Sequence, residues 1–282
     1  MRTWLPALAL ATVIAAPAHA DDGYGGPYPG TGNHVKLGTG FGFFMGVEGG
    51  SATSITPTIE GRFKLGESFG LQVVLPFSGI FASVDSGDSD SRFDIGNPSV
   101  AFEAVLEETG FNATIVRGGL TLPLLSAADN MQDLGEQVAN VLGAWGTHGW
   151  FNMWRYSPEN LTIFGEIVGT IHNDIFMEFA GGFGMLIPTS DGGDTQFVLQ
   201  GSAKIGGGSA TIVGYGGLGF VVLVSELGED GDAAQINFQG GIIAQLGRVR
   251  LDAALLFNLD DPFGFSLDEG VLGANIAVSI PF

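Results

Sequence analysis

Three histidines downstream of the N-terminal twenty residues are the side chains best suited to catalysis or metal binding. His34 begins the first predicted strand, His148 lies in the longest predicted loop, and His172 adjoins a tight turn. In the strand arrangement derived below, these positions lie at different heights or at opposite ends of the structure. A shared metal site is therefore not expected. Asn152 and Ser157 follow His148, but the segment does not match a known Ser–His or His–Asp catalytic motif. We therefore predict no catalytic residue, no metal and no cofactor.

Charged residues repeatedly occupy one parity of alternating runs. In residues 55–65, Ile55, Ile59 and Phe63 share one parity, and Glu60 and Arg62 share the other. Residues that alternate in this way lie on opposite faces of a strand. Opposite charges on one face predict cross-strand ion pairs that stiffen a wall, or a charged constriction that selects a solute. The residues assigned to this charged face are Lys36, Glu48, Glu60, Arg62, Lys64, Glu103, Arg117, Glu166, Glu178, Lys204, Arg248, Arg250 and Asp252.

Composition excludes several classes of protein. The chain has 282 residues, of which 45% are hydrophobic and 14% charged, with 47 glycines and no cysteine. Thirty acidic against ten basic residues give a net charge of −20, which argues against nucleic-acid binding because phosphate contacts need a basic surface. The apolar content argues against disorder. The missing cysteines exclude disulfides, thiol catalysis and zinc–thiolate sites.

The N-terminus is typical of a secretory signal peptide. Arg2 precedes an apolar stretch, and Ala18-His19-Ala20 places small residues around a cleavage site. We assign residues 1–20 to the signal peptide, 21–33 to a flexible N-terminal periplasmic segment and 34–282 to one folded domain. Beyond the leader, no run approaches the roughly eighteen apolar residues of a spanning helix.

Period-two alternation predicts the fold. It recurs in segments of about nine to eleven residues, the length that a tilted strand needs to cross a membrane. An exported apolar chain without spanning helices satisfies its backbone polar groups in lipid by closing a barrel. We predict an all-β, transmembrane, antiparallel up-and-down β-barrel of twelve strands with its apolar parity facing lipid. The predicted strands span about 35–48, 54–65, 70–83, 94–107, 111–123, 160–172, 174–187, 195–205, 209–224, 233–246, 248–258 and 270–282.

The connections alternate in length, as expected of a barrel whose termini both lie in the periplasm. The even-numbered links are short, such as 66–69 and the single Gly247. All but the first of the odd-numbered links are longer, and the longest spans residues 124–159. A β-sandwich has no reason to alternate its loop lengths in this way.

The C-terminal residues 274–282, ANIAVSIPF, alternate and stop on a terminal phenylalanine. This segment resembles the C-terminal targeting signal of Gram-negative outer-membrane β-barrels. The resemblance implies localisation in the outer membrane, with lipid and lipopolysaccharide around the protein. It also implies recognition of the last strand by the barrel assembly machinery.

Several aromatic residues take the inward parity, which a purely aqueous porin would not require. They are Phe44, Phe164, Phe176 and Phe220. An apolar lumen suits hydrophobic cargo, and the turns at Gly96-Asn97-Pro98 and Leu122-Pro123 resemble, in broad terms, those of outer-membrane transporters for fatty acids and aromatic hydrocarbons. The alternative is a packed core inside a narrow barrel.

The longest loop carries a predicted helix and an indole cluster. Apolar residues recur with helical period over 127–141 after Ser126, a candidate N-cap. Trp145, Trp150 and Trp154 follow. The segment is therefore a lid, a constriction folded into the pore or a ligand-gripping mouth, or else a loop anchored at the membrane interface.

These features together predict a channel or passive transporter for small solutes, hydrophobic ones among them. Two alternatives stay open: a barrel hydrolase acting on lipid or peptide, and a structural or adhesive barrel whose acidic outer loops bind cations. The sequence does not fix the oligomeric state. We expect a small solute as ligand, no nucleic acid as partner, and no enzymatic activity.

Overall fold

The computed structural model describes eleven stretches of the chain. The predicted signal peptide and nearly all of the predicted N-terminal segment lie outside the described residues, as do Glu48 and Trp150. The described residues are 32–45, 50–84, 89–109, 112–126, 131–148, 151–172, 175–190, 193–209, 211–224, 234–259 and 270–282.

The strands alternate with short turns at one end and longer links at the other, and one helical segment interrupts them. The helix α1 (Met131–Thr147) and a short 3-10 helix (Met153–Tyr156) lie between β6 and β7. Neither described helix has the length and apolar content needed to cross a membrane. The strands are β1 (His34–Met45), β2 (Gly50–Lys64), β3 (Phe69–Val84), β4 (Ser89–Ile95), β5 (Ser99–Thr109), β6 (Asn112–Thr121), β7 (Asn160–His172), β8 (Phe176–Pro188), β9 (Gln196–Gly208), β10 (Ile212–Leu223), β11 (Ala234–Leu246), β12 (Val249–Asn258) and β13 (Gly270–Pro281).

The sheet closes on itself as an antiparallel barrel with twelve strand positions, which we call staves. Each stave is one strand, except the fourth, which consists of β4 followed by β5. The first strand pairs with the last, with His34 opposite Pro281, and it also pairs with β2. The ring is completed by β3, which pairs with β2 on one side and with both β4 and β5 on the other. The predicted all-β barrel of twelve strands with a helix in one loop is confirmed.

One stave departs from the prediction because it is broken into two strands. Residues 83–93 are predicted to form a loop, yet β4 begins at Ser89 and pairs with the C-terminal part of β3. The break at Gly96-Asn97-Pro98 separates β4 from β5, since Pro98 has no N–H for the ladder. The serines and aspartates of β4 hid its alternation, in which Phe93 and Ile95 face outward.

The barrel is apolar outside and polar inside, the reverse of a soluble protein. Phe63 is 42% exposed, whereas its neighbour Arg62 is 3% exposed. The same contrast holds in β1, where Phe43 is exposed and the alternate positions Gly40 and Gly42 are buried. An outer belt of large exposed hydrophobic side chains needs an apolar surrounding rather than water.

The prediction that Phe220 faces the lumen is wrong. Phe220 is 48% exposed and lies on the outer face beside Gly201, its partner in β9. The inward residues of β10 include Val213 and Val221, which are buried in apolar clusters inside the barrel. Because both faces of this strand are apolar, the alternation that assigns the other strands gives no information here.

The assigned faces of β9 and β10 predict opposite environments for two neighbouring positions. The chain lacks cysteine, so a spin label on Phe220→Cys is expected to be accessible to oxygen dissolved in the bilayer and shielded from a water-soluble relaxation agent. Ser202 follows Gly201, the partner of Phe220, and faces the lumen. A label on Ser202→Cys should therefore show the reverse. Equal accessibilities at both sites would contradict the register.

Candidate functional site

The helix α1 lies inside the barrel, in its loop-end half. The Gly143 carbonyl accepts a hydrogen bond from Ser54 Oγ at 3.1 Å, and the Gly146 carbonyl accepts one from Asn258 Nδ2 at 2.9 Å. Asn140 Nδ2 donates to Asp94 Oδ2 at 2.7 Å. Since these wall residues point inward from β2, β12 and β4, the helix fills the lumen rather than covering its mouth. Of the arrangements that the sequence left open, the structure has the segment folded into the pore.

The boundaries of α1 differ from the predicted helix. It begins at Met131 and ends at Thr147, several residues later than the predicted 127–141. Ser126 does not directly precede it, and the Ser126 carbonyl instead accepts a hydrogen bond from the side chain of Gln137. The helix runs on through Gly143 and Gly146 because inward-facing wall residues satisfy its last carbonyls.

Glycines in the wall let the end of α1 approach closely. A Cβ atom added at Gly42 would lie 2.2 Å from Thr147 Oγ1, and one added at Gly273 would lie 2.7 Å from the Thr147 carbonyl oxygen. These glycines belong to β1 and β13, the strands that close the barrel. A larger residue at either position would push the helix end off the wall.

The segment after α1 is anchored by an apolar cluster. Trp154 is completely buried and stacks on Phe164, with ring centroids 5.6 Å apart. Leu186 and Val198 from neighbouring strands pack in the same cluster. Trp145 Nε1 donates to the Met153 carbonyl at 3.1 Å, which ties the helix to the segment that follows. Phe164 therefore packs against residues 131–148 and 151–157, which we call the inserted segment.

The break in the fourth stave holds the same segment through Asn97. Its backbone N–H donates to the Arg155 carbonyl at 2.7 Å, and its Nδ2 donates to the carbonyls of Trp154 and Ser157 at 3.1 and 2.6 Å. Asn97 Oδ1 accepts from the Leu125 N–H at 3.0 Å. Sequence reasoning treated this tripeptide as a turn and missed its role as an anchor. The only signal was an Asn-Pro pair inside an otherwise strand-like run.

A charged cavity of about 450 Å³ lies in the lumen between the inserted segment and the wall. Phe151, Asn152, Arg155 and Tyr156 of the inserted segment contribute to its lining. Ten of the residues predicted to face the lumen also line it. They are Lys36, Glu60, Arg62, Glu103, Arg117, Glu166, Glu178, Lys204, Arg250 and Asp252.

Two basic residues predicted for the lumen lie outside this cavity. Lys64 ends β2 and is exposed, and Arg248 is exposed in the tight turn between β11 and β12. Both follow the inward parity, but they lie beyond the cavity at the rim, where the side chains meet solvent. The predicted Glu48 falls outside the described residues.

Cross-strand ion pairs organise the cavity wall. Glu103 contacts both Arg62 and Arg117, and the Arg117–Glu103 distance is 3.3 Å. Arg117 is also 3.6 Å from Glu166. Both of these partners lie directly opposite Arg117 on adjacent strands. A buried carboxylate in contact with two guanidinium groups fixes the position of both side chains.

A second group of ion pairs lines the cavity from β8, β9 and β12. Lys204 Nζ is 2.6 Å from Glu178 Oε1, and these residues are opposite each other in β8 and β9. Arg250 is 3.3 Å from Asp252, which also accepts a hydrogen bond from the Tyr215 hydroxyl at 3.2 Å. The lumen therefore presents both signs of charge, largely paired.

The other inward phenylalanines are packed rather than open to a solute. Phe44 lies against α1, since a Cβ added at Gly143 would be 3.3 Å from its ring. Phe176 is buried in a separate cluster with Val213 and Ile243, and its ring centroid is 6.1 Å from that of Tyr215. The apolar lumen residues therefore form small cores inside the barrel.

His148 sits at the end of α1, facing the cavity. Its Nε2 lies 2.8 Å from Thr56 Oγ1, and its ring stacks on Tyr156 with centroids 5.9 Å apart. Burial, followed by the charges of Arg155 and Lys36, lowers the pKa of His148 to about 4. The ring is therefore neutral at pH 7.

The histidines do not form a metal site in the part of the chain that the structure describes. His34 also lines the cavity, with Nδ1 3.3 Å from the Gly32 carbonyl oxygen, whereas the side chain of His172 is outside the description. Among the described residues, no group of three His, Cys, Asp or Glu side chains is arranged to hold a metal ion.

Comparison with known proteins identifies the fold. No family model matches the chain, and no curated protein matches its sequence. The structure is similar to the COG4313 outer membrane channel from Pseudomonas putida F1, with a TM-score of 0.59 and 13% identity over 94% of this chain and 100% of the other. It is also similar to the NanC porin, with a TM-score of 0.51 and 5% identity over 87% of this chain and 100% of the porin. This chain thus has the closed-barrel fold of outer-membrane channels and porins.

The lowered pKa of His148 predicts that acid weakens the packing of the inserted segment. From about pH 6.5 down to about 4 the packed ring stays neutral, whereas a released ring takes up a proton. Release is therefore favoured as the pH falls through this window, by about 1–2 kcal/mol near pH 5. Limited proteolysis between residues 131 and 157, measured against pH in detergent, checks this. His148→Gln should flatten the profile, and an unchanged profile in that variant would contradict the assignment.

Proposed function

We propose that this protein is a passive outer-membrane channel for small polar solutes, with the inserted segment as an internal constriction. The outer apolar belt, the predicted signal peptide and the similarity in fold to an outer-membrane channel support insertion in the outer membrane. The proposed environment includes lipid and lipopolysaccharide around the barrel.

The charged cavity is the observation that carries this proposal. A barrel that served only as a scaffold would need no internal space lined by acidic and basic side chains, because desolvating such groups is costly. Fixed charges around a lumen select solutes by charge and size. The cavity, at about 450 Å³, has the size of a small-molecule site.

The same geometry favours polar solutes over hydrophobic ones. The prediction of hydrophobic cargo depends on inward aromatic residues, but these pack against other side chains. Phe164 packs against Trp154, and Phe176 packs against Tyr215. Lys, Arg, Asp and Glu side chains contribute to the lining of the space that remains. A purely apolar molecule would leave these groups without hydrogen-bond partners.

The inserted segment sets the expected conductance. With α1 hydrogen-bonded to the wall and Trp154 buried beneath it, a solute has only the space beside the segment. We therefore propose a narrow channel with low conductance for small ions and slow flux of larger solutes.

The C-terminal strand fits the proposed recognition by the barrel assembly machinery. β13 pairs with both β12 and β1 and so completes the ring. The terminal Phe282 ring packs edge-on against Phe63 of β2 at a centroid distance of 6.0 Å.

Displacing α1 from the wall is expected to widen the channel. In Gly42→Val the new side chain clashes with Thr147 and Ser54, which should weaken the seating of the helix by about 1–3 kcal/mol. Single-channel conductance in planar bilayers and liposome swelling with small sugars should then both increase.

Gly216→Val provides the matched control. Gly216 lies on the outer face of β10, where an added Cβ would meet Phe238 at an ordinary 3.7 Å. The conductance of the Gly216→Val protein should therefore equal that of the unmodified protein. Absence of solute flux in the unmodified protein and in Gly42→Val would overturn the channel proposal. Hydrolysis of lipid or peptide by such a flux-free protein would favour the enzyme alternative.

A further inference from the structure

Two cations of the cavity have no ion-pair partner among the residues that the structure describes. Four of the basic side chains that line it pair with a carboxylate, whereas Lys36 and Arg155 do not. Within the described residues, no carboxylate oxygen lies within 4.0 Å of either group. The Nε atom of Arg155 is buried and has no hydrogen-bond partner in the described structure. Leaving a buried donor without a partner costs free energy, and a bound anion at this position would satisfy it.

The two cations reach the cavity from two different elements. Lys36 reaches it from the wall strand β1, and Arg155 from the inserted 3-10 helix. His148 and Tyr156, whose rings stack with centroids 5.9 Å apart, line the cavity together with both cations.

The acid opposite Lys36 already accepts a hydrogen bond from another side chain. Glu60 lies opposite Lys36 in the register of β1 and β2, yet the hydrogen bond that it accepts comes from Gln72 Nε2, at 2.7 Å. Gln72 Oε1 in turn accepts from Arg117 at 3.2 Å, so Gln72 links this glutamate to Arg117. In the described part of the chain, no carboxylate contacts Lys36 or Arg155 directly.

The charge balance of the cavity calls for one anion. Six Lys and Arg side chains and five Asp and Glu side chains line it, which is a formal excess of one positive charge. The chain as a whole, by contrast, has a net charge of −20. Leaving a buried charge uncompensated is costly. A monoanion between Lys36 and Arg155 would restore neutrality, whereas a dianion would exceed it.

The rest of the lining suits an organic body on that anion. Phe151 and Tyr156 cover the side of the inserted segment, and Val74, Ile115 and Val168 contribute apolar surface from the wall. A guanidinium group recognises a planar carboxylate through two parallel hydrogen bonds. The apolar surface nearby would cover the hydrocarbon part of such a molecule.

We propose that the cavity is a binding site for a small organic monocarboxylate, whose carboxylate is held between Lys36 Nζ and the Arg155 guanidinium. This inference rests on the proposed channel function and names the class of solute that pauses in the lumen. The site assembles only when the inserted segment is seated, because one of its two cations belongs to that segment.

Binding of hexanoate to the full-length protein in detergent, measured by isothermal titration calorimetry, tests the site. Hexanoate should bind, and the uncharged hexanamide should bind at least about tenfold more weakly because it leaves both cations uncompensated. Arg155→Met and Lys36→Met should each weaken hexanoate binding by a similar factor. Arg155→Lys, which keeps the charge, should retain part of the affinity.

Two matched variants remove the same charges elsewhere. Lys64→Met and Arg248→Met change exposed residues outside the cavity, so hexanoate affinity should not change. Heat-dependent mobility in detergent gels verifies that each variant contains a folded barrel. Equal losses in the cavity and rim variants, or equal binding of hexanoate and hexanamide, would overturn the site.

The outcome separates this proposal from the channel proposal. Solute flux without hexanoate binding would leave the channel proposal intact and refute the carboxylate site. Hexanoate binding without flux, even in Gly42→Val, would establish the site and refute the channel. Tighter binding of inorganic phosphate than of hexanoate would overturn the assignment of a monocarboxylate.

Discussion

The structure depends on one constraint: in an apolar surrounding, every backbone N–H and C=O of the wall must find its partner within the protein. A sheet closed into a ring meets this requirement, because each stave then has a neighbour on both sides. Closure leaves two surfaces with opposite demands. The outer face must be apolar, and the enclosed face becomes the place where charged side chains accumulate. The inversion between Phe63 and Arg62 follows directly.

The enclosed face determines how the long loop folds. A lumen with polar wall residues and glycines offers hydrogen-bond donors to the carbonyls of α1 and room for its close approach, as at Ser54 and Gly42. Inward apolar residues such as Phe164 provide the complementary surface for Trp154. The wall and the inserted segment are therefore two halves of one interior, and the charged cavity is the volume that they leave unfilled.

Much of this architecture could be predicted from the sequence because strand periodicity reports which face a residue occupies. The twelve staves, their order and the inward parity of residues such as Glu103 and Lys204 all follow from alternation. The rule failed where its physical basis is absent. In β10 both faces are apolar, so Phe220 was placed on the wrong side, and in β4 the polar residues concealed the strand. Asn97 anchors a segment about sixty residues away, and no local pattern reports such a contact. The position of α1 in the lumen likewise depends on shape, which an amphipathic helix does not specify.

The seating of α1 beside Gly42 and Gly273 also concerns how the ring is held shut. These glycines lie opposite each other on the first and last strands, and Thr147 contacts both. The loop that carries α1 leaves from β6 and returns to β7, on the far side of the ring from this seam. The helix thus spans the lumen as a brace across the junction of the two chain ends. Its contacts there require that junction to be formed, and they stabilise the junction in return. By thermodynamic linkage, joining the ends of the sheet and seating the brace are then one cooperative event.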